Sequence, residues 1–153
     1  MAAKTKVHLR GSTLATVDEQ SRLKVPSMFR DILVKEYNNE FFVTSLTGDH
    51  VWVYPLPVWE ALEERLTKTA SLNPVKSKVL TTANYYGQQV TMDKQGRILI
   101  PATLRDSATI EGELRVLGSV DYLEVWNEKK LATKVLEQRV TDEDLSKLSD
   151  LGI

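Results

Sequence analysis

The chain has 153 residues, with 20 Lys and Arg against 21 Asp and Glu, a formal net charge of −1 and no cysteine. Its 42% hydrophobic and 27% charged residues fit a globular soluble domain, and the lack of cysteine excludes a disulfide framework and cysteine–zinc sites while fitting a reducing cytosol. The most apolar window, 51–59, is broken by Pro55 and Pro57, well short of the roughly 18 apolar residues of a membrane span, and residues 1–10 carry lysines but no apolar signal-peptide core.

Charge is unevenly spread. Lys4, Lys6, Arg10, Arg22, Lys24 and Arg30 face only Asp18 and Glu19 in residues 1–30, whereas residues 137–153 are acidic. A local basic face can hold phosphates on a chain of near-zero net charge. Ordinary solvated charge explains the same distribution equally well.

In chain order, residues 6–17 alternate and are rich in Val, Leu and Thr, predicting one or two strands interrupted at Gly11. Asp18 to Ser21 reads as a tight hairpin loop, because an aspartate carboxylate accepts nearby backbone N–H groups. Arg22 to Val25 alternates as a half-buried strand. Pro26 fits the first turn of a helix, and Phe29, Ile32 and Leu33 follow at helical spacing. Phe41–Leu46 and Val51–Tyr54 predict two strands about the turn 47–50. Pro55-Leu56-Pro57 stops the sheet, and Trp59, Leu62 and Leu66 form a helix stripe. Asn73-Pro74 starts another helix carrying Val75 and Val79.

The second half repeats this plan. Val90 and Met92 lead into a loop at Asp93, and Ile98–Ile100 reads as a strand buried on both faces. Glu113–Leu117 and Tyr122–Trp126 predict a hairpin around Gly118. A helix from Asn127 carries Leu131 and Val135. Thr141 to Asp144 resembles a capping box with Asp in the usual Glu position. The last helix then carries Leu145, Leu148 and Leu151, which must bury on this chain or on a neighbour's.

The repetition is visible residue by residue. Residues 18–31 and 93–106 align without a gap at an offset of 75, with six of fourteen positions identical: Asp18/Asp93, Gln20/Gln95, Arg22/Arg97, Pro26/Pro101, Arg30/Arg105 and Asp31/Asp106. Such self-similarity marks a duplication. Each half alone has a thin core, so two halves completing one β core, an internal pseudo-dimer, is the expected arrangement. Gly96 stands where a turn with a bulge needs positive φ. Ser21 occupies that place in the first copy and is expected to be slightly strained or to use another turn.

With the Asp-x-x-x-Arg motifs Asp18…Arg22 and Asp93…Arg97, Arg10-Gly11, Tyr54-Pro55-Leu56-Pro57-Val58-Trp59-Glu60 and Asn73-Pro74, the chain resembles the MraZ family over residues 8–153. The resemblance implies an α+β fold: a duplicated AbrB-like swapped-hairpin β-barrel core with peripheral helices. It divides into a first repeat at 8–56, a helical connector at 57–84, a second repeat at 85–127 and C-terminal helices at 128–153. It also implies a cytoplasmic, nucleoid-associated transcriptional regulator. Such a protein binds double-stranded DNA at promoter direct repeats of its own division and cell-wall gene cluster, as a homo-oligomeric ring. The alternative is an AbrB-like antitoxin or protein-interaction module using the acidic C-terminal helices. The sequence departs from the family at Gln20 and Ser21, where a basic residue and Gly are usual, at Thr81, at Tyr85 and in an extension carrying Lys4 and Lys6. These departures point to a DNA surface shifted towards the N-terminus, or to lower affinity.

Under this resemblance Arg22, Lys24, Arg10 and Lys6 are the expected DNA contacts. Arg22 can bind guanine O6/N7 bidentately or a phosphate, and it can equally brace the loop through Asp18. Asp18, Asp93, Arg97, Gly96, Pro26 and Pro101 are expected to be structural. Arg30 and Arg105 are expected to pair with carboxylates, and Trp52, Trp59 and Trp126 to anchor the core. No enzyme, cofactor, metal or small-molecule substrate is expected. His8 and His50 lack ligand spacing, and there is no nucleophile elbow, phosphate loop or dinucleotide fingerprint. An arginine beside each of Asp18 and Asp93 would keep both ionised rather than tuned for proton transfer.

Overall fold

The computed structural model describes residues 8–70 and 72–153; Lys4 and Lys6 lie outside the described residues. Proline and aspartate punctuation sets the elements. β1 (Ser12–Ala15) and β2 (Arg22–Lys24) flank the Asp18 loop, and α1 (Ser27–Glu36) follows Pro26. β3 (Glu40–Thr44) and β4 (Val51–Pro55) form a hairpin, then α2 (Leu56–Thr67) and α3 (Pro74–Tyr86) cross to the second half. There β5 (Gln88–Thr91) and β6 (Arg97–Leu99) flank the Asp93 loop and α4 (Ala102–Ser107) follows Pro101. β7 (Leu114–Gly118), β8 (Leu123–Asn127), α5 (Glu128–Glu137) and α6 (Asp142–Asp150) complete the chain. The fold is α+β, with antiparallel strand pairing and six helices among the described residues.

Strands of the two halves interleave. The larger sheet runs β1-β7-β8-β4-β3-β5, and β2 pairs with β6 in a separate two-stranded ribbon. The order is symmetric: each edge strand lies on a hairpin of the other half. Register repeats the symmetry. In the ribbon Leu23 faces Ile98, and these are equivalent positions of the duplicated stretch. Between β4 and β8, Trp52 faces Glu124, equivalent at an offset of 72. One pseudo-twofold relation therefore passes through both strand pairs. The principal core includes Leu23, Phe29, Leu33, Phe41, Val53, Ile98, Ile100, Leu104, Leu123 and Val125, so both halves fill it. A smaller cluster of Phe42, Tyr54, Trp59 and Ala83 lies under α2 and α3.

Three expectations need correction. The 98–100 stretch is not buried on both faces: Ile98 and Ile100 are buried but Leu99 is 38% exposed. A two-stranded ribbon packs one face on the core and turns the other outward, and side chains alternate between them. Pro26 and Pro101 stand one residue ahead of the first turn, as N-caps with extended ψ of 140° and 145°. Trp59 and Trp126 are buried as expected, whereas Trp52 is only half-buried. Of the two places expected for the last leucines, burial on this chain is not seen: no residue of α6 is buried, and Leu151, its C-cap, is exposed. Its start does form the capping box, with Thr141 Oγ1 accepting from Asp144 N at 3.1 Å and Asp144 Oδ2 accepting from Thr141 N at 2.9 Å.

Candidate nucleic-acid interface

The two Asp-x-x-x-Arg loops fold alike because each aspartate adds side-chain bonds to the same pair of backbone bonds, Asp18 N to Arg22 O and Ser21 N to Asp18 O in the first and Asp93 N to Arg97 O and Gly96 N to Asp93 O in the second. Asp18 Oδ1 accepts from the backbone N–H of Gln20 and of Arg22, both at 2.9 Å, while Oδ2 accepts from Arg22 Nε at 3.0 Å. Asp93 repeats this with Gln95 N and Arg97 N at 2.9 Å and Arg97 Nε at 2.8 Å. The Arg22 backbone N–H, with Gln20 and the guanidinium adding to it, holds the Asp18 carboxyl below the usual carboxylate range. Arg97 does the same for Asp93. Both stay ionised at neutral pH.

The ribbon brings the motifs together. Arg22 Nη1 lies 4.0 Å from Asp93 Oδ2, and Arg97 Nη1 lies 3.8 Å from Asp18 Oδ2. Two carboxylates and two guanidiniums thus form one crossed quartet on the outward face, beside the exposed Lys24. Each arginine spends its Nε edge on its own aspartate. Its Nη groups form no hydrogen bond with protein among the described residues, Nη1 only approaching the other loop's aspartate, and the side chain is partly exposed. A fork held at one edge and open at the other suits bidentate recognition of a base edge or phosphate.

The local geometry treats Arg22 and Arg97 alike. Moreover, Lys24 faces Arg97 across the ribbon, while Arg22 faces Leu99. The extra lysine of the first copy is thereby delivered beside the arginine of the second, a juxtaposition that only strand pairing creates. Arg10 is exposed ahead of β1 and no hydrogen bond or ion pair joins it to the ribbon among the described residues. Lys6 falls outside them.

Arg30 and Arg105 do not meet carboxylates, contrary to expectation. Each braces the other copy's loop. Arg30 Nη2 donates to the Lys94 carbonyl at 2.9 Å, and Arg105 Nη1 donates to Ser21 Oγ. This explains the divergence at the left-handed turn position. Ser21 has φ 61° and Gly96 has φ 77°. The Ser21 hydroxyl accepts Arg105, so a side chain is useful there. A Cβ on Gly96 would lie 2.7 Å from Arg30 Nε. Gly96→Ala is therefore expected to destabilise by about 1 to 2 kcal/mol, from left-handed strain plus displacement of Arg30. Urea unfolding measures this. The recurrence of Arg30 and Arg105 in the duplicated stretch was the sequence signal, but it did not say which loop each would reach.

A second polar cluster went unread. His50 Nδ1 lies 2.6 Å from Asp49 Oδ1 and Nε2 lies 3.2 Å from Glu124 Oε1. Its ring stacks on Trp126 with centroids 4.1 Å apart, and Lys134 Nζ stands 4.7 Å above the same indole. Burial pulls the imidazole pKa down, but the bonds to Glu124 and Asp49 together outweigh it and leave His50 raised. A raised folded pKa gives stability that is complete below the unfolded histidine pKa and lost as pH rises through the folded one. The melting temperature is therefore expected to fall above neutral pH, less so in His50→Gln; a calorimetric pH series on both checks it.

Comparison with known proteins bears on this constellation. The family model described as "MraZ protein, putative antitoxin-like" matches residues 8–81 and 87–147. The chain belongs to the MraZ family. Among its relatives, a transcriptional regulator MraZ of Koribacter versatilis is 45% identical over 145 residues, covering 94% of this chain and 99% of the relative. One of Acidobacterium capsulatum is 40% identical over 144 residues, and one of Pectobacterium atrosepticum is 33% identical over 150, each with the same two coverages. The ribbon and its quartet are thus features of a two-repeat MraZ chain.

Proposed function

We propose that this chain is a non-enzymatic transcriptional regulator that binds double-stranded DNA in a sequence-specific way through the outward face of the β2–β6 ribbon. The observation that carries this reading is the open Nη forks of Arg22 and Arg97 beside Lys24, on a face fixed from below by Leu23 and Ile98. The relatives' names as transcriptional regulators support it. The strand exchange supports a swapped-hairpin core in which 8–56 and 85–127 are the duplicated units. A regulator of this kind works in the cytoplasm on the nucleoid, and no helix among the described residues is long and apolar enough to cross a membrane.

Charge shapes the mode of binding. In the quartet, two carboxylates cancel two guanidiniums, so the ribbon suits base-edge reading better than long-range attraction. Lys24, Lys94 and Arg10 supply the phosphate contacts. About three such contacts per subunit correspond to a slope near −2.7 in log affinity against log salt. Tight binding then calls for several subunits at once. A ring holding successive promoter direct repeats provides this through effective concentration, and the chain's own division and cell-wall gene cluster is its proposed target. The test is a gel shift with the DNA upstream of the chain's own gene at two salt concentrations. Salt-sensitive binding that survives excess scrambled duplex supports the reading; equal binding to both duplexes overturns it.

The exposed leucines of α6 favour a second reading, an interaction module that captures a smaller protein. Co-purification of such a partner in place of self-assembly would support that alternative.

A further inference from the structure

Two apolar features stand without a partner among the described residues. The first is one face of α6. Leu145, Leu148 and Leu151 are 52%, 38% and 74% exposed. The second is a groove of about 370 Å³ between α2, α3 and the sheet, lined by Leu46, Trp52, Leu62, Leu66 and Val79, with Arg65 on its lining. No residue of α6 lines that groove.

The two are complementary in charge as well as in apolarity. Asp144 precedes Leu148 by four residues and Leu151 by seven, so it shares their helix face. The helix therefore presents, at the N-terminal end of a leucine stripe, a carboxylate whose Oδ2 is held by Thr141 N and whose Oδ1 accepts no hydrogen bond among the described residues. The groove presents aliphatic and indole surface beside a guanidinium. Arg65 has no carboxylate partner among the described residues.

We infer that α6 of one copy of this chain docks in the α2–α3 groove of a second copy, with Leu148 seated against Leu66 and Asp144 turned to Arg65. This names the joint of the oligomer and rests on the self-assembly proposed above. Helix and groove are different patches of one surface, so each copy offers both and the contact is heterologous. Repetition of such a contact closes into a ring when the rotation allows, and otherwise grows as a filament. A regulator built this way couples its DNA-reading ribbons through a joint that lies apart from them.

The absence of cysteine permits a clean test on the full-length chain. A Leu66→Cys chain is mixed with a Leu148→Cys chain and treated with a short bis-maleimide, and light scattering follows the wild type and Leu148→Asp. The expected results are a covalent mixed dimer, a covalent ladder when both cysteines share one chain, and a Leu148→Asp species at the monomer mass of 17.3 kDa. Circular dichroism confirms that Leu148→Asp is folded. An oligomer that forms without cross-links and survives Leu148→Asp overturns this joint but leaves the assembly reading intact. A wild type at monomer mass overturns both. Cross-linking within one chain of the double-cysteine variant, with no ladder, or a mass that includes a smaller foreign protein, overturns the second copy as occupant.

Discussion

Replacing Arg22 with alanine is expected to abolish binding to the upstream promoter DNA while leaving the oligomer intact. Each bidentate arginine–guanine contact is worth about 1 to 3 kcal/mol, or roughly 5- to 150-fold in affinity. The loss multiplies where several subunits engage successive repeats. The loop itself should survive, because Asp18 Oδ1 keeps its two backbone N–H donors from Gln20 and Arg22. Fluorescence anisotropy with a promoter duplex measures the affinity, and light scattering confirms the assembly. Retained affinity in a folded Arg22→Ala oligomer would remove Arg22 from the interface. Arg97→Ala, read alongside, is expected to lower affinity as well, with an effect on melting temperature no larger than that of Arg22→Ala, because Arg97 faces Lys24 across the ribbon and braces Asp93 as Arg22 braces Asp18.

Leu23→Ala is expected to cost about 2 to 5 kcal/mol of stability, the range for truncating a fully buried leucine that leaves a cavity. Leu23 is fully buried and faces Ile98 on the pseudo-twofold relation. The cavity therefore opens beneath the strand pair that carries Arg22, Lys24 and Arg97. Urea unfolding gives the stability change. DNA affinity measured well below the unfolding midpoint should also fall, because the forks lose the rigid floor that sets their spacing. A loss of stability below about 1 kcal/mol would mean that the ribbon is not locked on the core in this way.

The duplication was legible in the sequence because Asp18/Asp93, Arg22/Arg97 and the two prolines recur at one offset. Period-two alternation and proline punctuation placed most strands and helices. The consequences of pairing were not legible. Nothing local tells Lys24 that it will face Arg97, or Arg105 that it will reach Ser21, since both contacts join residues more than 70 positions apart. The sequence pointed to a division of labour in which the first copy reads DNA and the second builds the core. The paired ribbon presents both arginines on one face with the same bonds, and the Arg22 and Arg97 variants compared side by side decide between them. Ile98-Leu99-Ile100 read as fully buried because an apolar run carries no sign of which face meets solvent. The His50 cluster is not visible in sequence, because its two carboxylates come from Asp49 beside it and from Glu124 on a strand 74 residues away. The apolar stripe of α6 was plain in sequence, but its exposure was not.

Whether the β2–β6 ribbon is the surface that meets DNA is decided by hydroxyl-radical footprinting of the wild-type chain on its own upstream DNA, repeated with Arg22→Ala and Lys24→Ala. The expected result is protection recurring at regularly spaced direct repeats in the wild type, weakened by Lys24→Ala and absent in Arg22→Ala at the same oligomer mass. Unchanged protection in both variants would contradict it.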